Sequence, residues 1–251
     1  MHNLVVDIGN TNSKIAVFND KVLVFFQSLE QLDQSVLIEL ISKYKIVNSA
    51  VSTVRQDFVE IISFLAANTN YIKFSTQLNT GVNNFYKTPS TLGQDRWAKI
   101  IAVHHAYPHQ NILVIDAGTC ITYDVLNSEG AYYGGSISLG ISMRFKALNH
   151  YTGKLPLVEW NTDTENIPMG TDTNTAIING VLQGVINEVE GFIALHHKDK
   201  KELKVVITGG DATFLLDQLK NSIFAPEIIH DPYLVLKGLN EVIAFEYVQK
   251  D

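Results

Sequence analysis

A single cysteine in 251 residues excludes an internal disulfide and the small secreted scaffolds that depend on one, and it suits a cytoplasmic protein. By the usual habit of a free thiol, Cys120 reads as a small buried residue. No apolar run approaches the ~20 residues that span a bilayer, and Met1-His2-Asn3 leads directly into an apolar strand pattern rather than a leader peptide. Neither a membrane nor an export route is expected. Basic excess is missing too: 19 Lys and Arg face 26 Asp and Glu, for a formal net charge of −7. That excludes general nucleic-acid binding and attraction to anionic membranes, which need basic patches. It leaves nucleotides open, because backbone amides and helix N-termini hold phosphates without net positive charge. Metal-ligand spacing is also absent. His104-His105 and His196-His197 are adjacent pairs whose side chains diverge on a helix, and no Cys/His pattern matches a zinc site. No low-complexity segment interrupts the chain.

What is present is a globular composition, 46% hydrophobic and 18% charged, long enough for one large domain or two small ones sharing a cleft. Within it a short phosphate-binding signature occurs twice, as Asp7-Ile8-Gly9-Asn10-Thr11 and as Asp116-Ala117-Gly118-Thr119. Each copy follows an apolar run that reads as a buried strand, Leu4-Val5-Val6 and Ile112-Leu113-Val114-Ile115. Each precedes a β-prone run, at 15–18 and 121–125, that reads as a hairpin partner. Gly9 and Gly118 are expected at φ > 0, bringing main-chain N–H groups close to a phosphate. Thr and Asn add donors without bulk, and the aspartate at the strand end offers acceptor oxygens. One copy alone is an ordinary Asp/Gly/Thr turn. Two copies in matching surroundings, a small domain's length apart, mark a duplicated domain that grips a nucleotide between its halves.

After the first hairpin, periodicity places strands at 22–26, 46–51 and 71–74 and helices at 34–44 and 57–68, the order β-β-β-α-β-α-β. The second half repeats it with longer elements. A strand at 132–138 precedes helices at 141–151 and 173–196; a strand at 204–208, a short helix at 213–219, a strand at 227–230 and a closing helix at 234–247 follow. A helix at 91–107 joins the halves without a linker, which sets the expected domains at 1–111 and 112–251. The two turns with this element order resemble the acetate/sugar-kinase, chaperone and actin superfamily: an α/β protein of duplicated ribonuclease-H-like domains with a nucleotide cleft between them. The irregular stretch 160–175, rich in Asn, Thr and Asp, is the longest loop, and long loops are often functional.

Between the two turns lies Tyr86-Lys87-Thr88-Pro89-Ser90-Thr91-Leu92-Gly93-Gln94-Asp95-Arg96-Trp97. Its Gly-x-Asp-Arg sets a carboxylate and a guanidinium side by side at a helix start. Arg96 can hold a substrate carboxylate bidentately, a geometry lysine cannot supply. Asp95 can accept a hydroxyl proton as phosphoryl transfer proceeds. A surface ion pair at a helix N-terminus is the plainer account of the same residues; their place between two phosphate turns favours chemistry.

Taken in order, Asp-x-Gly-Asn-Thr, Tyr-x-x-Pro, Gly-x-Asp-Arg and Asp-x-Gly-Thr-x-x-Thr resemble the type III pantothenate kinases. Gly134-Gly135, Thr152-Gly153-Lys154-Leu155-Pro156, Gly170-x-x-Thr173 and Thr208-Gly209-Gly210 extend the resemblance over essentially the whole chain. It implies ATP-dependent phosphorylation of the primary hydroxyl of pantothenate, the first step of coenzyme A biosynthesis. The implied enzyme is a cytoplasmic homodimer using ATP, Mg²⁺ or a similar divalent cation, and K⁺ or NH₄⁺. Residue by residue, the resemblance implies a first phosphate site from Asp7, Gly9, Asn10, Thr11, Asn12, Ser13 and Lys14, and further ATP contacts from Gly118, Thr119, Gly209 and Gly210. Asp95 would be the general base, with Tyr86, Gly93, Gln94, Asp95 and Arg96 binding pantothenate. Asp116 would hold the monovalent cation, and Thr173 would reach pantothenate from the neighbouring subunit. A plain helix N-cap fits Thr173 equally well. Cys120 departs from the small residue, often alanine, expected at its position. On the residues alone, another kinase or phosphatase of the superfamily stays open, as does a nucleotide-binding regulator without turnover; intact Asp7, Asp95 and Arg96 argue against the regulator.

Overall fold

The computed structural model describes residues 1–9, 11–53, 58–161, 166–199 and 202–248. Asn10 of the first turn, the expected helix start at 57 and part of the 160–175 loop lie outside the described residues. The first sheet begins with β1 (His2–Ile8), β2 (Ser13–Asn19) and β3 (Val22–Leu29), an antiparallel meander in which Asp7 faces Lys14 and Ile8 faces Ser13. Helix α1 (Gln34–Tyr44) starts where the Asp33 carboxylate accepts the Ser35 and Val36 N–H groups, a good N-cap. It ends at Lys45 in the left-handed region, φ 52°. That left-handed turn delays β4 (Asn48–Thr53) beyond the start expected at 46. Helix α2 (Val59–Asn68) and β5 (Asn70–Ile72) complete the order β3-β2-β1-β4-β5, with β4 parallel to β1 and β5 parallel to β4.

Alternation along β1 decides which residues enter the core. Leu4, Val6 and Ile8 pack with Ile15 and Val17 against Leu37 and Leu40 of α1 and Ile61 and Leu65 of α2. Asn3 and Asp7 therefore point to the opposite face. A two-residue strand, β6 (Asn83–Asn84), pairs in parallel with Ala131 and Tyr132. Then comes α3 (Gln94–Ala106), beginning later than the expected 91. Pro89–Thr91 form a separate 3-10 turn closed by the Leu92 N–H on the Pro89 carbonyl, and Leu92 itself is extended.

The second sheet repeats the plan. Strands β7 (Asn111–Ala117), β8 (Cys120–Leu126) and β9 (Ala131–Leu139) are followed by α4 (Ile141–His150), α5 (Thr173–Asp199), β10 (Leu203–Thr208), α6 (Ala212–Leu219), β11 (Ile228–His230) and α7 (Leu234–Val248). Its six strands run β6-β9-β8-β7-β10-β11; beyond the short β6 this is the order of the first sheet, with α4 and α5 standing where α1 stood. The core face of α5 presents Ile177, Val181, Leu182, Val185, Val189 and Ile193, a helical spacing, to Leu113, Ile115, Val205 and Ile207 of the sheet.

Contacts divide the chain into two compact units. One comprises Met1–Pro108, Gly130–Tyr132 and the chain from Tyr233; the other comprises His109–Glu129 and Tyr133–Pro232. Helix α7 thus packs in the first unit, on α3, β1 and β4. Gly238 permits the close crossing, since a Cβ there would stand 2.6 Å from the Ala98 carbonyl carbon. A buried amide ladder fixes it further: Asn48 donates to Asn3 and Asn3 donates to Asn240, each at 2.9 Å. Among the described residues no helix is long and apolar enough to cross a membrane.

Candidate active site

On the face of β1 turned away from the core, Asn3 meets α7 and Asp7 lies in the field of Asp95 on α3. Burial first, and then the negative Asp95, push the Asp7 carboxyl up to about 6, against the opposing pull of Lys14, Ser52 and Lys99. Asp95 stands on the first turn of α3, its Oδ1 so near Gly93 that a Cβ on Gly93 would lie 2.6 Å away. One turn further on, Lys99 Nζ is 3.2 Å from Asp95 Oδ2; the lysine side chain is wholly buried, and the aspartate's is 36% exposed. Burial alone would raise the Asp95 carboxyl. The Lys99 ammonium, helped by the Arg96 backbone N–H and guanidinium, instead holds it below the ordinary carboxylate range.

Arg96 is buried, with its guanidinium carbon 5.8 Å from the centre of the Tyr86 ring. Tyr86 stacks on Tyr132 at 6.1 Å, and Tyr132 meets Trp97 at 5.8 Å. The result is an aromatic wall beside a cation. Gln94 does a structural job: its Oε1 accepts the Thr53 N–H at 3.0 Å and its Nε2 donates to the Phe74 carbonyl at 3.3 Å, tying the start of α3 to the end of β4. In the adjoining β1–β2 turn the Gly9 N–H donates to the Asn12 carbonyl at 3.1 Å. Thr11 and Asn12 are exposed, Ser13 is buried and Lys14 is half-buried.

The second turn gathers Asp116, Gly118, Thr119, Gly209 and Gly210 at the carboxyl ends of β7 and β10. Parallel register sets Thr208 level with Asp116, so the glycines that follow arrive beside the turn. Gly209 adopts φ +100°, and a Cβ there would overlap the Ala117 carbonyl and come within 2.5 Å of Asp116 Oδ1. The Asp211 N–H donates to the Ala117 carbonyl at 2.9 Å and the Gly140 N–H to the Thr119 carbonyl at 3.1 Å. Burial lifts the Asp211 carboxyl to about 6.

Several expectations change here. Neither Gly9 nor Gly118 lies in the left-handed region; the glycine at the site that does is Gly209. Gly9 is needed for space, since a Cβ would be 3.2 Å from the Asn12 carbonyl oxygen, while Gly118 faces open space. Cys120 is exposed rather than buried, at the start of β8 with its Sγ 3.9 Å from Met143 Sδ. Two residues escaped the sequence reading. Lys99 could have been found from its helical spacing to Asp95, and Asp211 from its place directly after Gly209-Gly210.

Thr173 opens α5 but does not cap it. The Asp172 carboxylate accepts the Thr175 N–H at 3.0 Å, and the Thr175 hydroxyl accepts the Asp172 and Thr171 N–H groups at 3.1 Å, a reciprocal box. Thr173 is left exposed at an apolar groove of about 840 Å³, lined with Leu139, Leu148, Tyr151, Ile177 and Val181. Arg144, on the same groove, ion-pairs with Glu188, which also accepts the Tyr123 hydroxyl at 2.9 Å. Burial, and then Glu188, raise the Tyr123 hydroxyl well above its ordinary range.

Known proteins resemble this chain over nearly its whole length. The family model for type III pantothenate kinase matches residues 3–195. A type III pantothenate kinase of Bacteroides fragilis is 41% identical over 250 residues, spanning 97% of this chain and 98% of its own. Among solved structures, a conserved protein of Campylobacter jejuni described as a Baf family transcriptional activator has TM-score 0.60 at 24% identity, covering 98% of this chain and 99% of that one. A Sinorhizobium meliloti protein described as a 2-dehydro-3-deoxygalactonokinase has TM-score 0.59 at 11% identity, with the same coverage of 98% and 99%. At those identities the two structures speak to the shared fold alone.

Proposed function

The chain belongs to the type III pantothenate kinase family, and on that premise we propose the part each residue plays. It phosphorylates the primary hydroxyl of pantothenate at the expense of ATP, the first step of coenzyme A biosynthesis. Asp95 is the general base. The observation that carries this reading is its carboxylate, kept ionised beside Lys99 yet 36% exposed. So acidic a carboxyl is a weak base. Its work is to orient the attacking hydroxyl and take the proton as the oxygen–phosphorus bond forms and ADP leaves, with most of the rate coming from positioning and charge stabilisation. Arg96 pairs with the pantothenate carboxylate against the Tyr86 ring. Neighbours on a helix point about 100° apart, which lets Asp95 and Arg96 address opposite ends of one substrate.

Asp7 and Gly9 to Lys14 form the first phosphate site, and Gly118, Thr119, Gly209 and Gly210 supply further ATP contacts. Mg²⁺ or a similar divalent cation would neutralise charge on the ATP phosphates held at these turns. The Asp116 carboxylate, tight against Gly209, is the ligand for K⁺ or NH₄⁺. We assign residues 1–111 and 112–251 to the two repeats of the duplication, with α7 the last element of the second. The enzyme works in the cytoplasm as a homodimer. Exposed Tyr151 and the groove it shares with Thr173 support an interface on that face, from which Thr173 reaches pantothenate in the neighbouring subunit.

ADP release that requires pantothenate and rises with K⁺ tests the reaction. A pantothenate analogue ending in a neutral alcohol should lose about 3–5 kcal/mol of transition-state stabilisation, because the charge that the Arg96 guanidinium would hold is removed from the substrate. Equal kcat/KM for the two compounds would remove Arg96 from carboxylate recognition. Heterodimers of Asp95→Asn with Thr173→Val chains should regain activity that neither homodimer has, since one site is then intact. A verified heterodimer with no recovery rules out the shared site.

A further inference from the structure

Lys99 lies in the middle of an apolar helical stretch, between buried Ala98 and Ile100, with no side-chain exposure. An ammonium so placed is costly unless paired, and a hydrophobic side chain of similar volume often serves stability as well or better. Its position points to a task at the carboxylates rather than to packing. Nζ is 3.2 Å from Asp95 Oδ2, and the acid precedes the lysine by one turn, the favourable direction for such a pair. The Arg96 backbone N–H also reaches the Asp95 carboxylate, and Oδ1 occupies space that a side chain at Gly93 would fill.

We propose that Lys99 is a positioning residue for the phosphoryl transfer: its buried ammonium holds the Asp95 carboxylate in one orientation as the ionised acceptor. The proposal rests on the assignment of Asp95 as the base. The charged groups around the two acids are Lys14 from β2 and Arg96 and Lys99 from α3, with Asp7 itself on β1. Lys99 acts on both acids, drawing each toward its ionised form. Two neighbouring carboxylates without sufficient counter-charge titrate as a pair and retain a proton to higher pH. Asp7 already stands at about 6 under the influence of burial and Asp95. With the ammonium removed, both carboxyls lose a group that draws them toward their ionised forms, and each is protonated at a higher pH. An Asp95 that carries a proton cannot accept that of the pantothenate hydroxyl.

The pH profile of kcat tests this in Lys99→Met, with Lys99→Arg as the charge-keeping variant and Asp95→Asn as the control for the base. In Lys99→Met the acid limb should move up by about one pH unit or more, so that kcat at a fixed pH on that limb falls about tenfold. Activity should recover toward the wild-type value as the pH is raised, with KM for ATP within about twofold of wild type. Lys99→Arg should restore the wild-type limb. A folded Lys99→Met enzyme with its acid limb unmoved overturns the proposal, because loss of packing alone lowers Tm without moving a titration. If Lys99→Met does not fold, the wild-type protein carries the test through the Asp95 carboxyl carbon resonance, assigned by its absence in Asp95→Asn. Titration below the ordinary aspartate range supports the proposal, and titration within or above that range overturns it. Near-normal turnover in Asp95→Asn overturns the base assignment and this proposal together. An inactive Asp95→Asn enzyme beside an unmoved limb in Lys99→Met leaves the base in place and overturns the role of Lys99 alone.

Discussion

Asp7 ends β1 among charges brought by other elements, whereas Asp116 ends β7 with backbone pressed against it. Around Asp7 stand Asp95 and Lys99 from α3 and Lys14 from β2. Around Asp116 the loop after β10 folds in, with Gly209 at φ +100° and the Asp211 N–H on the Ala117 carbonyl. Both turns leave the same strand of the same five-strand order. The duplicated element therefore gave each repeat the same starting geometry, and later segments gave each a different use. In the first repeat, charged side chains converge, as the proposed proton transfer and carboxylate recognition require. In the second, glycines let main chain approach closely. These demands exclude one another at a single spot, because a side chain large enough to carry charge fills the space that backbone must enter.

Substitutions in the two turns should break different things. The largest effect belongs to Asp95→Asn, expected to lower kcat by about 10²–10⁴-fold while leaving ATP binding nearly intact, as steady-state kinetics beside calorimetric nucleotide titration would show. Near-normal turnover would erase the chemical half of the contrast. Gly209→Ala probes the other half. It forces a side chain into the left-handed region and onto the Ala117 carbonyl, so stability should fall by about 2–4 kcal/mol, with weaker ATP binding in whatever folds. A Tm equal to wild type would show that the close approach is not required.

Asp7 sharpens the contrast through pH. Its carboxyl is raised from 3.8 to about 6 in the folded protein, so the folded state binds this proton more tightly than the unfolded chain. The sign follows: stability from this group is full below about pH 4 and is lost as the pH rises to about 6. Asparagine resembles the neutral acid. Asp7→Asn should therefore be more stable than wild type by about 1–3 kcal/mol above pH 6, with the gain gone near pH 4. Thermal unfolding at the two pH values checks it, and identical stabilities at high pH would contradict the buried-acid account. The smallest effect is expected at Asp116. Replacing Na⁺ by K⁺ or NH₄⁺ at constant ionic strength should raise wild-type activity about severalfold, and Asp116→Asn should abolish the difference. An Asp116→Asn enzyme that keeps the full difference places the cation elsewhere.

Much of this arrangement was legible in the residues. The strand and helix order came from hydrophobic periodicity, and the two turns and the Gly-x-Asp-Arg segment came from local chemistry; both are properties of neighbours in the chain. Element ends moved where local backbone overruled periodicity, as at left-handed Lys45 and at the 3-10 turn ahead of α3. Tertiary structure alone decided the rest. It set α7 on the first unit, sealed Lys99 from solvent, spent the Gln94 amide on Thr53 and Phe74, laid Gly209 over Asp116 and left Cys120 exposed. It also gave the helix cap to Asp172 and Thr175, leaving the Thr173 side chain at the apolar groove. The physical reason is common to most of these cases. Periodicity tells a side chain whether to be buried, but only contacts between residues distant in the chain tell it against which partner, and in this protein the partner sets charge, conformation and reach.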